Sequence, residues 1–357
     1  MKTAIIGLPQ AGKTSLFTIL TGVHEAARIG SLAVRAGVAK VPDRRLEAVA
    51  ALYPNAKVTH ATVEYLDCPP VSKETLRDPA FLASLRLADA FAHVLRAFED
   101  DRVPHELGSV EPRRDLAHVE TELVFSDLVM VEHRLERLEK DRKKVKDAEL
   151  DREFELLARA KAQLDTGAPL RQLALGAEEE KRLRGFQFLS QKPMLYVLNL
   201  GEADAARLRG LEAEFRAQVL PGRAHTGVAA ICGQVEAELA ELVSEEVPEF
   251  LASYGLKESG LERLVWATYS LLGLISFITA SEPEVRAWAL AAGSTALQAA
   301  GTVHTDFENR FIRAEVAPWE VLVREGGYAR AREKGRLRAE GKDYVVRDGE
   351  VILIRHG

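Results

Sequence analysis

The sequence predicts an α/β protein. A doubly wound, mostly parallel sheet is interrupted by an inserted antiparallel helical coiled coil and followed by a smaller α+β module. Three observations predict this. Short apolar runs alternate with helical periodicity up to about residue 112 and again after residue 192. Between them runs an apolar heptad with a charged interruption. Beyond residue 276, short strand patterns replace the alternation.

The first strand is Ala4-Ile5-Ile6. It runs straight into Gly7, four residues, and Gly12-Lys13-Thr14, and Leu16, Phe17 and Leu20 then open a helical period. Strand, glycine loop and helix form the setting of a phosphate-binding loop, as in P-loop nucleoside triphosphatases. Glycines let successive N–H groups point inward at phosphate oxygens, and the helix adds its positive end. Gly7, Pro9, Gln10, Ala11, Gly12, Lys13, Thr14 and Ser15 are therefore expected to line the phosphates. Lys13 reaches the terminal phosphates as a catalytic cation, and the Thr14 hydroxyl ligates Mg2+.

Further strands are expected at 32–41, 61–66 and 90–95, with a helix at 80–87. Val124, Leu128, Val131, Leu135 and Leu138 then form a heptad seam. The charged stretch 140–146 follows, and Leu150, Phe154, Leu157 and Leu164 resume the seam until Gly167-Ala168-Pro169. Two long helices joined at a basic tip are implied, with a shorter helix at 178–189 returning the chain. A buried strand at 194–198 and a helix at 261–274 complete the interrupted domain. The expected organisation is thus 1–114 with 192–275, an insertion at 115–191, and a C-terminal module at 276–357. In that module, strands are expected at 285–290 and 311–316. A hairpin is expected to join 344–347 to 351–354 through Asp348-Gly349.

Bulk properties narrow the function. The 357 residues allow two or three domains, and 47% hydrophobic with 29% charged residues is a globular balance. A net charge of −6 gives no global basic signature for nucleic acid. Cys68 and Cys232 form no disulfide framework, no apolar run has membrane length, and the first strand starts almost at once. These features fit a cytoplasmic protein with no membrane partner.

Two strand ends carry further chemistry. The 61–66 strand ends in Asp67-Cys68-Pro69-Pro70, where Asp67 is placed to act on Mg2+ through water. Pro70 stands where related switch proteins carry a glycine that donates to the γ-phosphate, and proline has no N–H to give. The 194–198 strand ends in Asn199-Leu200-Gly201-Glu202. Guanine readers use Asn-Lys-x-Asp there. Asn199 can meet a purine edge, Leu200 offers an apolar wall, and Glu202 replaces the guanine-reading Asp, which makes adenine plausible. Cys232-Gly233-Gln234 follows a later strand and can present N–H groups to the base.

With these residues in view, the chain resembles the YchF family, the Obg-like ATPases, essentially end to end. "FEDDRVPHELGSVEPRRD", "TELVFSDLVMVEHRLERLEK", "EVRAWAL", "QAAGTVHTDFENRFIRAEV" and "RAEGKDYVVRDGEVILI" carry the resemblance beside the phosphate loop and Asn-x-x-Glu. It implies a ubiquitin-like TGS module at the C-terminus, slow ATP hydrolysis with GTP as the alternative, Mg2+, a monomer, and association with the ribosome or another RNA–protein partner. It implies that Val71 takes the place of a catalytic glutamine. By the same resemblance His105 activates water and Ser31 is the switch-one hydroxyl on the metal. "RIGSLAVRAG", "DCPPVSKETLRDPAFLASLRLADA" and Cys-Gly-Gln depart from the family pattern. Two functions follow: a weak hydrolase, or a docking protein that binds nucleotide without turning it over. A small-molecule kinase is disfavoured by the insertion and the C-terminal module.

Overall fold

The computed structural model describes residues 1–24, 32–243 and 245–357. Two compact units emerge, Met1–Val38 with Glu64–Leu271, and Ala39–Val63 with Leu272–Gly357. The alternation in the sequence assigns 39–63 to the first unit. Its contacts lie instead with the C-terminal one, because Lys57–Thr59 pairs with Glu284–Ala291.

The first sheet contains β1 (Lys2–Ile6), β2 (Arg35–Lys40), β4 (Thr62–Asp67), β5 (Ala90–Ala97), β6 (Met194–Leu200) and β7 (Thr226–Ile231). Its order is β2-β4-β1-β5-β6-β7, and β1 pairs in parallel with both β4 and β5. The order reverses at β1, so the crevice beyond its carboxyl end is the topological switch point where such sheets bind ligands. Register places Ile5 beside Asp67 and Ile6 beside His93. Phe91, Leu95, Met194, Tyr196 and Leu198 are buried in the core that packs this sheet. Cys68 and Cys232 are free and buried.

The heptad seam folds as expected, into α4 (Pro112–Arg142) and α5 (Ala148–Asp165). Val124, Val131, Leu138, Leu157 and Leu164 are buried between them. Ion pairs Arg142–Asp151, Arg134–Glu153 and Lys161–Glu132 run in opposite sequence directions, so the helices are antiparallel. Asp147 caps α5 by accepting from the Glu149 N–H at 2.8 Å. At the base, the buried Asp127 carboxylate accepts from the N–H groups of Leu189 (2.9 Å) and Ser190 (2.7 Å). Tyr196 on β6 donates to Glu120 at 2.7 Å, and Arg171 and Arg223 pair with the same carboxylate. The helix expected at 178–189 is shorter, Ala177–Leu183 and then a turn at Arg184–Phe186, because Gln187 takes a left-handed conformation.

The second unit holds β3 (Lys57–Thr59), β8 (Leu274–Ala280), β9 (Glu284–Ala291), β10 (Phe311–Pro318), β11 (Arg338–Glu340) and β12 (Glu350–His356). Its order is β11-β10-β12-β8-β9-β3, with β8 and β9 antiparallel and β12 parallel to β8. Phe277, Leu290, Val316 and Ile352 fill its core. Residues Arg44–Ala50 form α2, capped by Asp43. The expected hairpin at 344–354 is not formed. The Asp348-Gly349 turn exists, since the Glu350 N–H donates to Arg347, but Val345 makes only an isolated bridge to Thr295. Strand β12 pairs with β10 and β8 instead. The Asp348 carboxylate accepts from the Ser276 N–H at 2.9 Å and from Arg45 at 2.7 Å, contacts that no local pattern announces.

Candidate nucleotide-binding site

The loop after β1 leads into α1 (Lys13–Thr21), whose N-terminal boundary is Gly12. Gly12 has φ +94°, and a methyl group there would overlap the Asn199 amide. Gly7 has φ +146°, and a methyl there would lie 2.5 Å from the Val94 carbonyl on β5. Only glycine fits both positions, so the loop backbone sits tight against β5 and β6. Gln10 is also left-handed, at φ 58°. Pro9 is half-buried, Ala11 buried, and Thr14 and Ser15 are exposed at the start of the helix.

Lys13 is buried, and its Nζ donates to the Leu8 carbonyl at 2.6 Å. Burial lowers its pKa to about 8, against the pull of Asp67, Cys68 and Glu106. Glu106 thus belongs to the electrostatic surroundings of Lys13, a role its sequence gives no sign of. Beneath the loop, His93 on β5 is fully buried, and burial with the nearby Lys13 and Arg171 lowers its pKa to about 3. It is a neutral imidazole in the sheet.

Thr14 and Asp67 come together: the Thr14 hydroxyl donates to Asp67 Oδ2 at 3.1 Å. A hydroxyl and a carboxylate converging at the loop form the hard-oxygen donor set that suits Mg2+. Ser31, the other hydroxyl expected on the metal, lies outside the described residues. Arg35 on β2 was not singled out by its sequence. Its guanidinium pairs with the same Asp67 oxygen and lies 5.3 Å from the centre of the Phe17 ring.

Asn199 is buried and its amide spans two loops. Nδ2 donates to the Ala11 carbonyl at 3.1 Å, and Oδ1 accepts from the Gly233 N–H at 3.1 Å. It joins the phosphate loop to the Cys232-Gly233 element. Cys232 is buried, at the start of the Gly233–Leu239 helix. Leu200 packs in the core cluster. Glu202 is exposed and accepts from the Tyr254 hydroxyl at 2.9 Å.

His105 is hydrogen-bonded through both ring nitrogens. Its Nδ1 accepts from the Leu107 N–H at 3.1 Å, which leaves Nε2 to donate to Asp115 at 2.8 Å. Arg114 pairs with the other Asp115 oxygen. Both ring nitrogens are therefore engaged. Val71 is buried in the core, and its N–H points to the Gly7 carbonyl at 3.4 Å.

Full-length comparison decides the family. The chain is 37% identical over 362 residues to the ribosome-binding ATPase YchF of Bacillus subtilis (strain 168), covering 99% of each. The chain belongs to the YchF family. The YchF protein of Haemophilus ducreyi is 38% identical over 369 residues, with 99% of this chain and 98% of that protein covered. The solved YchF GTPase of Schizosaccharomyces pombe superposes with a TM-score of 0.86 at 26% identity, over 99% of this chain and 97% of that one. Residues 274–357 match the YchF-GTPase_C family, described as a protein of unknown function (DUF933). The YchF relationship therefore runs through the helical pair and the C-terminal unit as well as the phosphate loop. Among the described residues, no helix is long and apolar enough to cross a membrane.

Proposed function

We propose that the chain is a Mg2+-dependent purine nucleotide-binding protein that prefers ATP over GTP and hydrolyses it slowly. It acts as a cytoplasmic, ribosome-associated monomer in translation or stress regulation. The observation that carries this reading is the loop itself. Gly7 and Gly12 hold the backbone in a cradle, Lys13 stands at its floor, and the Thr14 hydroxyl meets Asp67 at 3.1 Å. The loop N–H groups and Lys13 bind and orient the phosphates and oppose the charge that develops on the transferring group. Thr14 and Ser31 would hold Mg2+, with Asp67 acting on it through water, and the ion would neutralise phosphate charge when bound. Asn199 fixes the phosphate loop against the base loop, so base and phosphates are read in one frame. The ribosomal partner is taken from relatives named ribosome-binding ATPases, and the helical pair and TGS-like module are the surfaces proposed for it.

Two observations favour a second reading, a nucleotide-binding docking protein without turnover. Pro70 has no N–H for a γ-phosphate. His105 spends both ring nitrogens on Asp115 and Leu107, so it activates water only after leaving them.

Calorimetric titration of nucleotide-free protein with ATP, GTP, ADP and a non-hydrolysable ATP analogue, with and without Mg2+, tests both. ATP bound more tightly than GTP, with phosphate release lost in Lys13→Ala, supports the ATPase. Equal affinity for analogue and ADP, with no phosphate release, supports the docking protein. No nucleotide bound at millimolar concentration would overturn both.

A further inference from the structure

A cleft of about 640 Å³ lies within the first unit, away from the phosphate loop. One wall is Lys73, Leu76, Arg77, Leu82 and Arg86, from the segment after β4 and from α3 (Pro79–Arg86). The facing wall is α4, which contributes Phe125, Val129, Met130 and Arg137 among others. From Glu122 to Arg137 the lining residues recur every three or four positions, so one stripe of α4 faces the cleft for roughly 20 Å at 1.5 Å per residue. Such a length suits a helix of about four turns rather than a compact metabolite.

The floor and rim have different chemistry. Phe125 is 50% exposed and Val129 38%, on a helix whose other apolar residues are largely committed to the seam with α5. Large apolar groups left open side by side mark a binding surface. Around them stand Lys73, Arg77, Arg86, Arg134 and Arg137 against one carboxylate, Glu122. Arg134 is paired with Glu153. Lys73, Arg77 and Arg137 have no carboxylate within 4.0 Å among the described residues, and Arg86 Nε is buried without a hydrogen-bond partner. In a chain of net charge −6, this basic concentration around an apolar floor is local.

We propose that this cleft is the docking site for an acidic amphipathic helix of a partner protein. Its apolar stripe at i, i+3, i+4 and i+7 covers Phe125, Val129 and Met130, and its flanking carboxylates meet Arg77, Arg137 and Lys73. A bare polyanion would satisfy the rim and leave the floor open. A neutral apolar helix would leave Lys73, Arg77 and Arg137 with no carboxylate within 4.0 Å among the described residues.

The test is selection of a random 16-residue displayed peptide library on the full chain, with affinities of enriched peptides then read by fluorescence anisotropy. Acidic peptides with helically spaced apolar residues should be enriched. They should lose tenfold or more in affinity with Phe125→Ala and with Arg77→Glu/Arg137→Glu, while a sequence-scrambled version binds as weakly. Phe125 and Arg137 are exposed, so the melting temperature of each variant should match that of the parent chain. The proposal is overturned if no peptide is enriched over the variants, or if enriched peptides are neutral or basic. It is equally overturned if a 16-nucleotide uridine RNA competes fully and its binding ignores Phe125→Ala, which would make the cleft a polyanion site.

Discussion

The Arg35 guanidinium and the Thr14 hydroxyl share one oxygen of Asp67. A cation from the protein thus sits where Mg2+ would draw on the same carboxylate. Mg2+ bound as proposed would compete with Arg35 for the Asp67 charge, and the arginine would lower the advantage of metal binding. Arg35→Ala should reduce several-fold the Mg2+ concentration that half-saturates nucleotide binding, read by titrating Mg2+ against a fluorescent ATP analogue. The same change uncovers a nearly buried carboxylate, so the metal-free variant should be less stable by about 1–3 kcal/mol. An unchanged Mg2+ requirement would show that Arg35 moves aside at no cost.

Lys13 should make the proposed nucleotide binding pH-dependent. Burial lowers its pKa to about 8, while bound phosphates favour the charged form. Binding near pH 8 should therefore take up a proton, and affinity should fall as pH rises beyond 8, by up to tenfold per unit. Calorimetry in buffers of different ionisation enthalpy measures the uptake directly. The free protein should respond in the opposite sense. The unfolded chain holds this proton up to a higher pH than the folded one, so the Lys13 contribution to stability rises with pH between about 8 and the ordinary lysine value. Lys13→Met should remove both effects.

Asn199→Ala should weaken triphosphate and diphosphate binding alike. It leaves the Ala11 carbonyl and the Gly233 N–H without the partner that joined them. Each buried group left unpaired costs about 1–3 kcal/mol, so the melting temperature should drop even without nucleotide. A loss confined to the nucleotide complex would mean that Asn199 acts on the base and not as a brace.

Asp127 gives the helical pair its own pH response. Burial raises its pKa to about 6, although the Ser190 and Leu189 N–H groups oppose the shift. A raised carboxyl pKa means that the stabilisation is complete below the unfolded value. It is then lost as pH rises through about 6, at about 1.4 kcal/mol per unit. The stability difference between the parent chain and Asp127→Asn should shrink over that window in chemical denaturation. Because an amide cannot accept cleanly from two N–H groups, the variant should also be less stable at acid pH.

Much of the fold was legible because its signals are local. The phosphate loop is contiguous sequence, and a 3.5-residue apolar period over two helices leaves little choice of partner. Long-range pairing was not legible. Residues 39–63 show ordinary alternation, and only the pairing of Lys57–Thr59 with Glu284–Ala291 shows which sheet they serve. The segment at 344–354 has a good turn sequence, yet Asp348 is held by Ser276 and Arg45, and β12 finds better partners than its neighbour. In the site, Thr14 and Asp67 could be foreseen from motif spacing. Arg35, Glu106 and the bracing role of Asn199 could not, because each acts through a distant group that no motif names.

Pro69, Pro70 and Val71 have a consequence for timing. Two prolines fix their own φ, and Val71 is held by the core and by the Gly7 carbonyl, so the chain behind Asp67 has little freedom left to surrender. A loop that must freeze around its ligand binds slowly and traps it. One already set lets ligand enter and leave without waiting for that segment to order. On the proposed reading, such a protein would track the momentary nucleotide level of its surroundings, as a gauge does, rather than measure an interval between binding and release.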